Sequence, residues 1–420
     1  MVLKKPKLRI LCISPVFVPR ADSEAFCGAK LILELIKRDI DIAVICWDPK
    51  SPRPESCDNS SFWEPLKKVA IQIATPLNKN VLESVFHGMQ LHTITYARWI
   101  QKAVKTAISL QKNNSFNIIY SRSLPMHAHI AGYWISRQLN LPWIANINDP
   151  WDWHLFPDEM RKKSAYLYRL NSNYWLRKTM RNASLITYPS SRMRDYHNHI
   201  SSIKHNNIII PHIGYTIINE NKNPKFCLVH AGKLGGWEGR SSLALLQGLR
   251  LFLKNFPEAQ QSFRMIFVGP DDESARSMVE KLGIQSNVEF TGRVSYQRSL
   301  EYINIATVCL LVEGKLTEGI FLPSKLADYI VAEKPILALS PQDGVVSDML
   351  TYRGLVRADV DNPIGIEAAL SHYYTAFKQN SISELKPSEK LINQFTPNVI
   401  AEQFIMKAQE ALLTNKPSGN

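Results

Sequence analysis

Short apolar runs alternate along the chain with stripes of helical period. Leu8-Arg-Ile-Leu-Cys-Ile-Ser-Pro15 reads as a buried strand closed by a proline. Residues 28–38 then set Gly28, Leu31, Ile32, Leu35 and Ile36 on one helical face, and Ile40-Asp-Ile-Ala-Val-Ile-Cys46 is the next strand. The alternation continues through Asn117–Tyr120, a helix over 125–139, Trp143–Ile147, Leu185–Tyr188 and Ile208–Pro211. Strands and helices in turn predict a doubly wound parallel sheet.

Near residue 214 the pattern breaks. Asn219-Glu-Asn-Lys-Asn-Pro224 has the composition of a linker, and the alternation then restarts. Phe226–Ala231, Arg264–Gly269, Val288–Phe290, Val308–Val312 and Pro335–Leu339 are strands, and residues 241–254 a helix aligning Leu245, Leu246, Leu249, Phe252 and Leu253. The expected division is an α/β domain over 1–213, a linker over 214–225, a second α/β domain over 226–396, and a closing segment over 397–420 whose helix packs back on the first domain. Two such sheets would face each other across a cleft at their carboxyl ends, where ligands of doubly wound sheets bind.

Composition narrows this only a little. The 420 residues suit two domains, and 45% hydrophobic with 21% charged residues is globular. No run approaches the roughly 18 apolar residues of a membrane span, and Met1 leads into the first strand without a signal-peptide pattern, so a cytoplasmic location is expected. The six cysteines are scattered, without a Cys-x-x-Cys pair, and read as buried thiols. Charge is uneven. Residues 1–210 hold 29 Lys and Arg against 15 Asp and Glu, and the remainder 21 against 22. The first half is therefore either drawn to an anionic partner or simply a basic surface.

Three loops of the second domain fall where a ligand would sit. Gly232-Lys-Leu-Gly-Gly-Trp-Glu-Gly-Arg240 joins a strand to a helix; its glycines, with Lys233 and Arg240, suit a phosphate cradle or an ordinary turn. Thr291-Gly-Arg-Val-Ser295 either offers its backbone to a base or ends in Ser295 as a helix cap. In Glu318-Gly-Ile-Phe-Leu-Pro-Ser-Lys-Leu-Ala-Asp328, Pro323 suits a first helical turn, placing Ser324 and Lys325 at the positively polarised start and Asp328 one turn on.

Taken in order with Phe267-Val-Gly-Pro270, Val288-Glu-Phe-Thr-Gly-Arg293 and the helix after Phe395-Thr-Pro397, these segments resemble the GT-B-fold glycosyltransferases, in particular retaining family 4, over nearly the whole chain. The resemblance implies two Rossmann-like domains and a nucleotide diphosphate sugar as co-substrate, with no other cofactor and no metal. It places Lys233, Gly235, Gly236, Arg240, Arg293, Val294, Ser324, Lys325, Leu326 and Asp328 at the donor, with Asp328 in the position of the ribose-binding acid. The family spaces its two acids by seven residues, whereas nine separate Glu318 from Asp328, so the catalytic role of Glu318 is conditional on a longer loop.

In the first domain, Asn146-Ile-Asn-Asp-Pro-Trp-Asp152 follows a strand, so Asp149 either projects into the cleft or belongs to an ordinary Asp-Pro turn; related sequences of the family carry Asp-Pro-Trp there. Asp149 is the expected catalytic and acceptor-binding carboxylate, with Gly28 and Trp151 beside it. Residues 161–181 mix cations with aromatics, as a segment lying on an anionic membrane does, or as a solvated basic helix with a buried aromatic face does. No nucleic-acid-binding signature is present, and the histidines lack metal-ligand spacing. The expected activity is sugar transfer to a glycan or lipid-linked acceptor hydroxyl in cell-surface polysaccharide or glycolipid synthesis. A nucleotide-sugar epimerase of the same fold, and a non-catalytic nucleotide-sugar-binding homologue, are the alternatives.

Overall fold

The computed structural model describes residues 7–48, 57–73, 96–151, 165–217, 225–234 and 242–414. They form two units, each built on one parallel sheet. Below, strands are numbered in chain order, as are helices of eight or more residues.

The first unit holds β1 (Arg9–Ile13), β2 (Asp41–Trp47), β3 (Ala70–Ile73), β4 (Ile118–Arg122), β5 (Trp143–Asn146), β6 (Leu185–Tyr188) and β7 (Asn207–Ile209), in the order β3-β2-β1-β4-β5-β6-β7. Its helices are α1 (Ser23–Ile36), α2 (Ala97–Asn114), α3 (His127–Leu139), α4 (Ala165–Asn182) and α5 (Ser191–Ser201). Strand order reverses between β1 and β4, which pair in register from Ile10↔Ile118 to Ile13↔Ser121. Side chains at those carboxyl ends therefore converge on a crevice that no crossover helix fills.

Helix α1 starts five residues before the predicted stretch because Asp22 caps it, accepting from Glu24 N–H at 2.8 Å. That extra turn carries Glu24 onto the helix. The final helix α11 (Pro397–Thr414) belongs to this unit: Phe404 meets the Tyr120 ring edge-on at 4.9 Å, and Arg38 at the end of α1 donates to Asn398.

The second unit runs from His212 to Thr396. Strands β8 (Phe226–Ala231), β9 (Phe263–Val268), β10 (Val288–Phe290), β11 (Val308–Val312), β12 (Ile336–Leu339) and β13 (Leu355–Ala358) lie in the order β10-β9-β8-β11-β12-β13. Helices α6 (Leu243–Asn255), α7 (Glu273–Leu282), α8 (Tyr296–Ile305), α9 (Ser324–Val331) and α10 (Pro363–Lys378) cover it. Leu246, Leu249 and Phe252 of α6 and Ile366, Leu370 and Tyr373 of α10 share one buried cluster with Phe226, Leu310 and Leu337.

The linker begins later than predicted. Gly214 donates to Phe395 C=O at 3.0 Å and Tyr215 N–H donates to Asp328, so residues 212–217 are packed into the second unit.

Candidate functional site

Each unit gathers its chemistry at the point where its strand order reverses. In the second unit that point is the gap between β8 and β11. Their ladder ends at Cys309↔Val229, and one residue further the fully buried ring of His230 spans the widening gap, with Nδ1 3.0 Å from Leu310 C=O. Tyr329 of α9 closes the same region, its hydroxyl accepting from Ala231 N–H at 2.8 Å and donating to Leu310 C=O at 3.3 Å.

Against this frame α9 delivers Lys325. Pro323 is the N-cap and leads directly into Ser324 and Lys325, both half-buried at the helix start. The Lys325 ammonium lies 3.2 Å from His230 Nε2. Gly232, at φ +112°, makes room for it: a methyl group at that position would stand 3.0 Å from Nζ. The sequence suggested that this glycine loop was open for phosphate, and its first glycine is in fact open for a lysine.

Asp328 is a different case. It is only 5% exposed, and its Oδ1 accepts from Tyr215 N–H and from the Tyr296 hydroxyl, both at 2.9 Å. That oxygen ties the entry segment and α8 to α9, a structural role the sequence did not signal. Leu326 is fully buried, so only its backbone is available to a donor.

Glu318 is half-buried, and the next residue is clamped: Gly319 N–H donates to Asp343 C=O at 2.9 Å and Val345 N–H to Gly319 C=O at 2.8 Å. Ser295 caps α8 through Arg298 N–H, matching the capping reading of its loop, while Arg293 is exposed and Val294 half-buried. Lys233 is exposed. Gly235, Gly236 and Arg240 lie outside the described residues.

In the first unit the carboxyl ends of β4 and β5 meet the start of α1. Glu24 accepts from Leu124 N–H at 3.1 Å and from the Asn148 amide at 3.0 Å, which seats its carboxyl beside the expected Asp149. Burial first and the Asp149 carboxylate second raise Glu24 to about 8, against the opposing Arg122 guanidinium. Glu24 therefore holds its proton at neutral pH. Arg122 is 5% exposed; Nη1 donates to the Tyr120 hydroxyl at 3.0 Å, while Nε and Nη2 meet no hydrogen-bond acceptor among the described residues.

Gly28 has a steric reason. A methyl group on it would come within 3.0 Å of Arg122 Nε, so the missing side chain accommodates the guanidinium, whereas the sequence reading had assigned it to the acceptor. Trp151 is 2% exposed and stacks on His129 at 5.5 Å, a packed position for a residue expected at the acceptor. His129 is itself depressed to about 3, chiefly by burial, with Ser121 Oγ at 2.8 Å from Nδ1. Among the described residues no His, Cys, Asp and Glu side chains gather as a metal site.

Sequence reasoning missed Glu24, Arg122, Asn148, His230 and Tyr329. Only Glu24 left a legible sign, an acid two residues after a capping aspartate.

Residues 237–374 match the family described as glycosyl transferases group 1, which is about a third of the chain and lies within the second unit. No curated protein matches the sequence. Among solved structures, Anabaena HepE in complex with UDP superposes with a TM-score of 0.64 at 13% identity, covering 96% of this chain and 100% of HepE. Sucrose-phosphate synthase from Thermosynechococcus elongatus gives 0.66 at 12%, covering 97% and 100%. A putative UDP-N-acetylglucosamine 2-epimerase from Listeria monocytogenes gives 0.61 at 9%, covering 99% of each chain. The likeness establishes the fold, two Rossmann-like units of the GT-B type.

Proposed function

We propose that this chain, a GT-B protein whose second unit carries a glycosyl transferases group 1 domain, moves a sugar from a nucleotide diphosphate sugar onto an acceptor hydroxyl. The observation that carries this reading is the family match over residues 237–374, in the unit where Lys325, His230 and the start of α9 converge. The fold alone would serve an epimerase equally well, as the Listeria structure illustrates.

In this proposal the diphosphate lies at the start of α9. The Lys325 ammonium and the positive end of the α9 dipole stabilise charge developing on the leaving group, a task that calls for no metal. Glu318 reaches a sugar hydroxyl from the preceding loop. In the first unit Asp149 binds the acceptor hydroxyl, and the protonated Glu24 next to it restrains Asp149 from sharing its position with a second negative charge. Anomeric configuration is retained, following the family 4 resemblance.

The acceptor is a glycan or lipid-linked intermediate of cell-surface polysaccharide or glycolipid synthesis, and the first unit approaches an anionic membrane through α4. Supporting this, Leu167, Leu170 and Tyr174 are exposed together with Arg177 and Arg181 on that helix, and the Lys178 ammonium lies over the rings of Tyr133, Trp134, Tyr174 and Trp175. No helix among the described residues is long and apolar enough to cross a membrane.

HepE was solved with UDP, so uridine sugars are the first donors to try in a thermal-shift panel. A donor at 100 times its Kd stabilises by about 2.7 kcal/mol. The donor found is then incubated with and without lipid-linked acceptors. Nucleotide diphosphate release that requires an acceptor supports transfer. Epimerised sugar formed without acceptor, or binding without turnover on any acceptor, refutes it.

A further inference from the structure

The donor reading leaves one buried group without a task. His230 is fully buried as the penultimate residue of β8, an inner strand of the sheet whose other five residues, Phe226–Val229 and Ala231, are apolar or sulfur-bearing. An imidazole in that place carries a desolvation cost that a Leu or Phe would not.

Its surroundings determine its protonation. Leu310 C=O, 3.0 Å from Nδ1, can only accept, so Nδ1 bears the proton. Nε2 faces the Lys325 ammonium at 3.2 Å, and an ammonium can only donate. Nε2 must therefore present its lone pair, which makes the ring neutral. The opposite tautomer would set two acceptors against each other at Leu310 and two donors against each other at Lys325. The imidazolium would add a like charge to the second fault. Lys233 C=O, 3.4 Å from Nε2, is another acceptor and forms no bond with an unprotonated nitrogen.

The consequence for Lys325 is directional. A lysine carries its charge on a flexible four-carbon stem and aims poorly without help. Here the ammonium is held by the His230 lone pair, by the space left by Gly232 and by its place in the first turn of α9. The His230 ring is in turn held to β11 through Leu310, so the ammonium is referenced to the sheet and not only to its own helix.

We propose that His230, as the neutral Nδ1–H tautomer, is a positioning residue that aims the Lys325 ammonium at the phosphate groups of a nucleoside diphosphate bound at the start of α9. This rests on the donor site proposed above. His230 touches no phosphate itself; it acts through Lys325.

Two substitutions separate its two bonds. His230→Gln can place an amide oxygen near the Nε2 position and keep the acceptor for Lys325. His230→Asn can keep a donor near Leu310 C=O but removes that acceptor. UDP affinity is measured by calorimetry for both, for Lys325→Ala and for the Lys325→Ala/His230→Asn double variant, with thermal melts to confirm folding. Lys325→Ala and His230→Asn are each expected to weaken UDP binding about tenfold, His230→Gln to stay within about twofold of the wild type, and the double variant to be no weaker than Lys325→Ala.

Wild-type affinity in His230→Asn, or equal loss in the Asn and Gln variants, overturns the positioning role while leaving the donor site standing. Unchanged affinity in Lys325→Ala, or no UDP binding at all, instead strikes the donor reading. A measurement without ligand decides the positioning role even then: long-range nitrogen–proton correlations of labelled histidine at neutral pH should show His230 with its proton on Nδ1. A proton on Nε2 refutes the proposal.

Discussion

Replacing Glu24 by Gln tests whether its carboxyl is held protonated in the folded first unit. In an unfolded chain Glu24 titrates near 4.5; burial, with Asp149 adding to it, moves it to about 8 in the fold. Below pH 4.5 the carboxyl is neutral in both states and the shift costs nothing. Between 4.5 and 8 the folded protein keeps a proton that the unfolded chain has released, so stability falls as pH rises, and above 8 the loss is complete. At about 1.4 kcal/mol per pH unit the full interval amounts to roughly 5 kcal/mol. The side chain retains partial contact with solvent, which reduces the expectation to roughly 2–4 kcal/mol.

Glutamine is neutral throughout and keeps an oxygen for Leu124 N–H or the Asn148 amide. Eight of the nine tryptophans precede His212, so urea unfolding followed by tryptophan fluorescence reports the first unit. The quantity to plot is the stability of Glu24→Gln minus that of the wild type, between pH 4 and 9. His129 and His197, lowered by burial to about 3 and about 4, destabilise the fold as pH falls below their unfolded value, but equally in both proteins, and drop out of the difference. The difference should climb by roughly 2–4 kcal/mol from pH 4.5 to 8. A flat difference, or one that falls with pH, would show that Glu24 is ionised in the fold and that its pairing with Asp149 has been misjudged.

Other expectations are simpler. Ser121 Oγ accepts from Trp143 Nε1 at 2.7 Å and bonds His129 Nδ1 at 2.8 Å, so Ser121→Ala leaves two buried groups unpaired and should cost about 2–4 kcal/mol in urea unfolding, against less than about 1 for an exposed serine such as Ser23. Gly214→Ala would set a methyl group 2.1 Å from Ala327 C=O, in the packed entry to the second unit; it should lower that unit's melting temperature by several degrees, and an unchanged melt would contradict the packing. Exchanging Arg177 and Arg181 for Gln should reduce cosedimentation with anionic vesicles and leave little for salt to screen, whereas equal binding of the wild type to neutral vesicles would remove the membrane role.

What the sequence made legible follows physical lines. Central strands such as Cys227–Val229 and Cys309–Val312 are buried on both faces and read as unbroken apolar runs, so the doubly wound class and the break near residue 214 were visible. Two of the four edge strands were not: Ala70–Ile73 and Leu355–Ala358 are four residues each, partly exposed and interrupted by a polar residue, too short a pattern to signal a strand. The helix start at Pro323–Lys325 was visible because proline and a short polar pair mark a first turn locally. His230 was invisible for the opposite reason. Its meaning comes from Leu310 and Lys325, which lie 80 and 95 residues away and meet it only through the crossover of β8 and β11. Glu24 likewise acquires its chemistry from Leu124 and Asn148, 100 and 124 residues further along the chain.

The return of α11 to the first unit gives the molecule an unusual order of completion during synthesis. Chains emerge from the ribosome N-terminus first, and domains tend to fold as they appear. The first unit begins emerging first, yet the helix that covers Tyr120 follows Thr396 and leaves the ribosome after every residue of β8–β13. The unit that starts first is finished last, and until then its sheet waits with the ground for Phe404 exposed. A chaperone recruited during translation would be expected to act on that unfinished face.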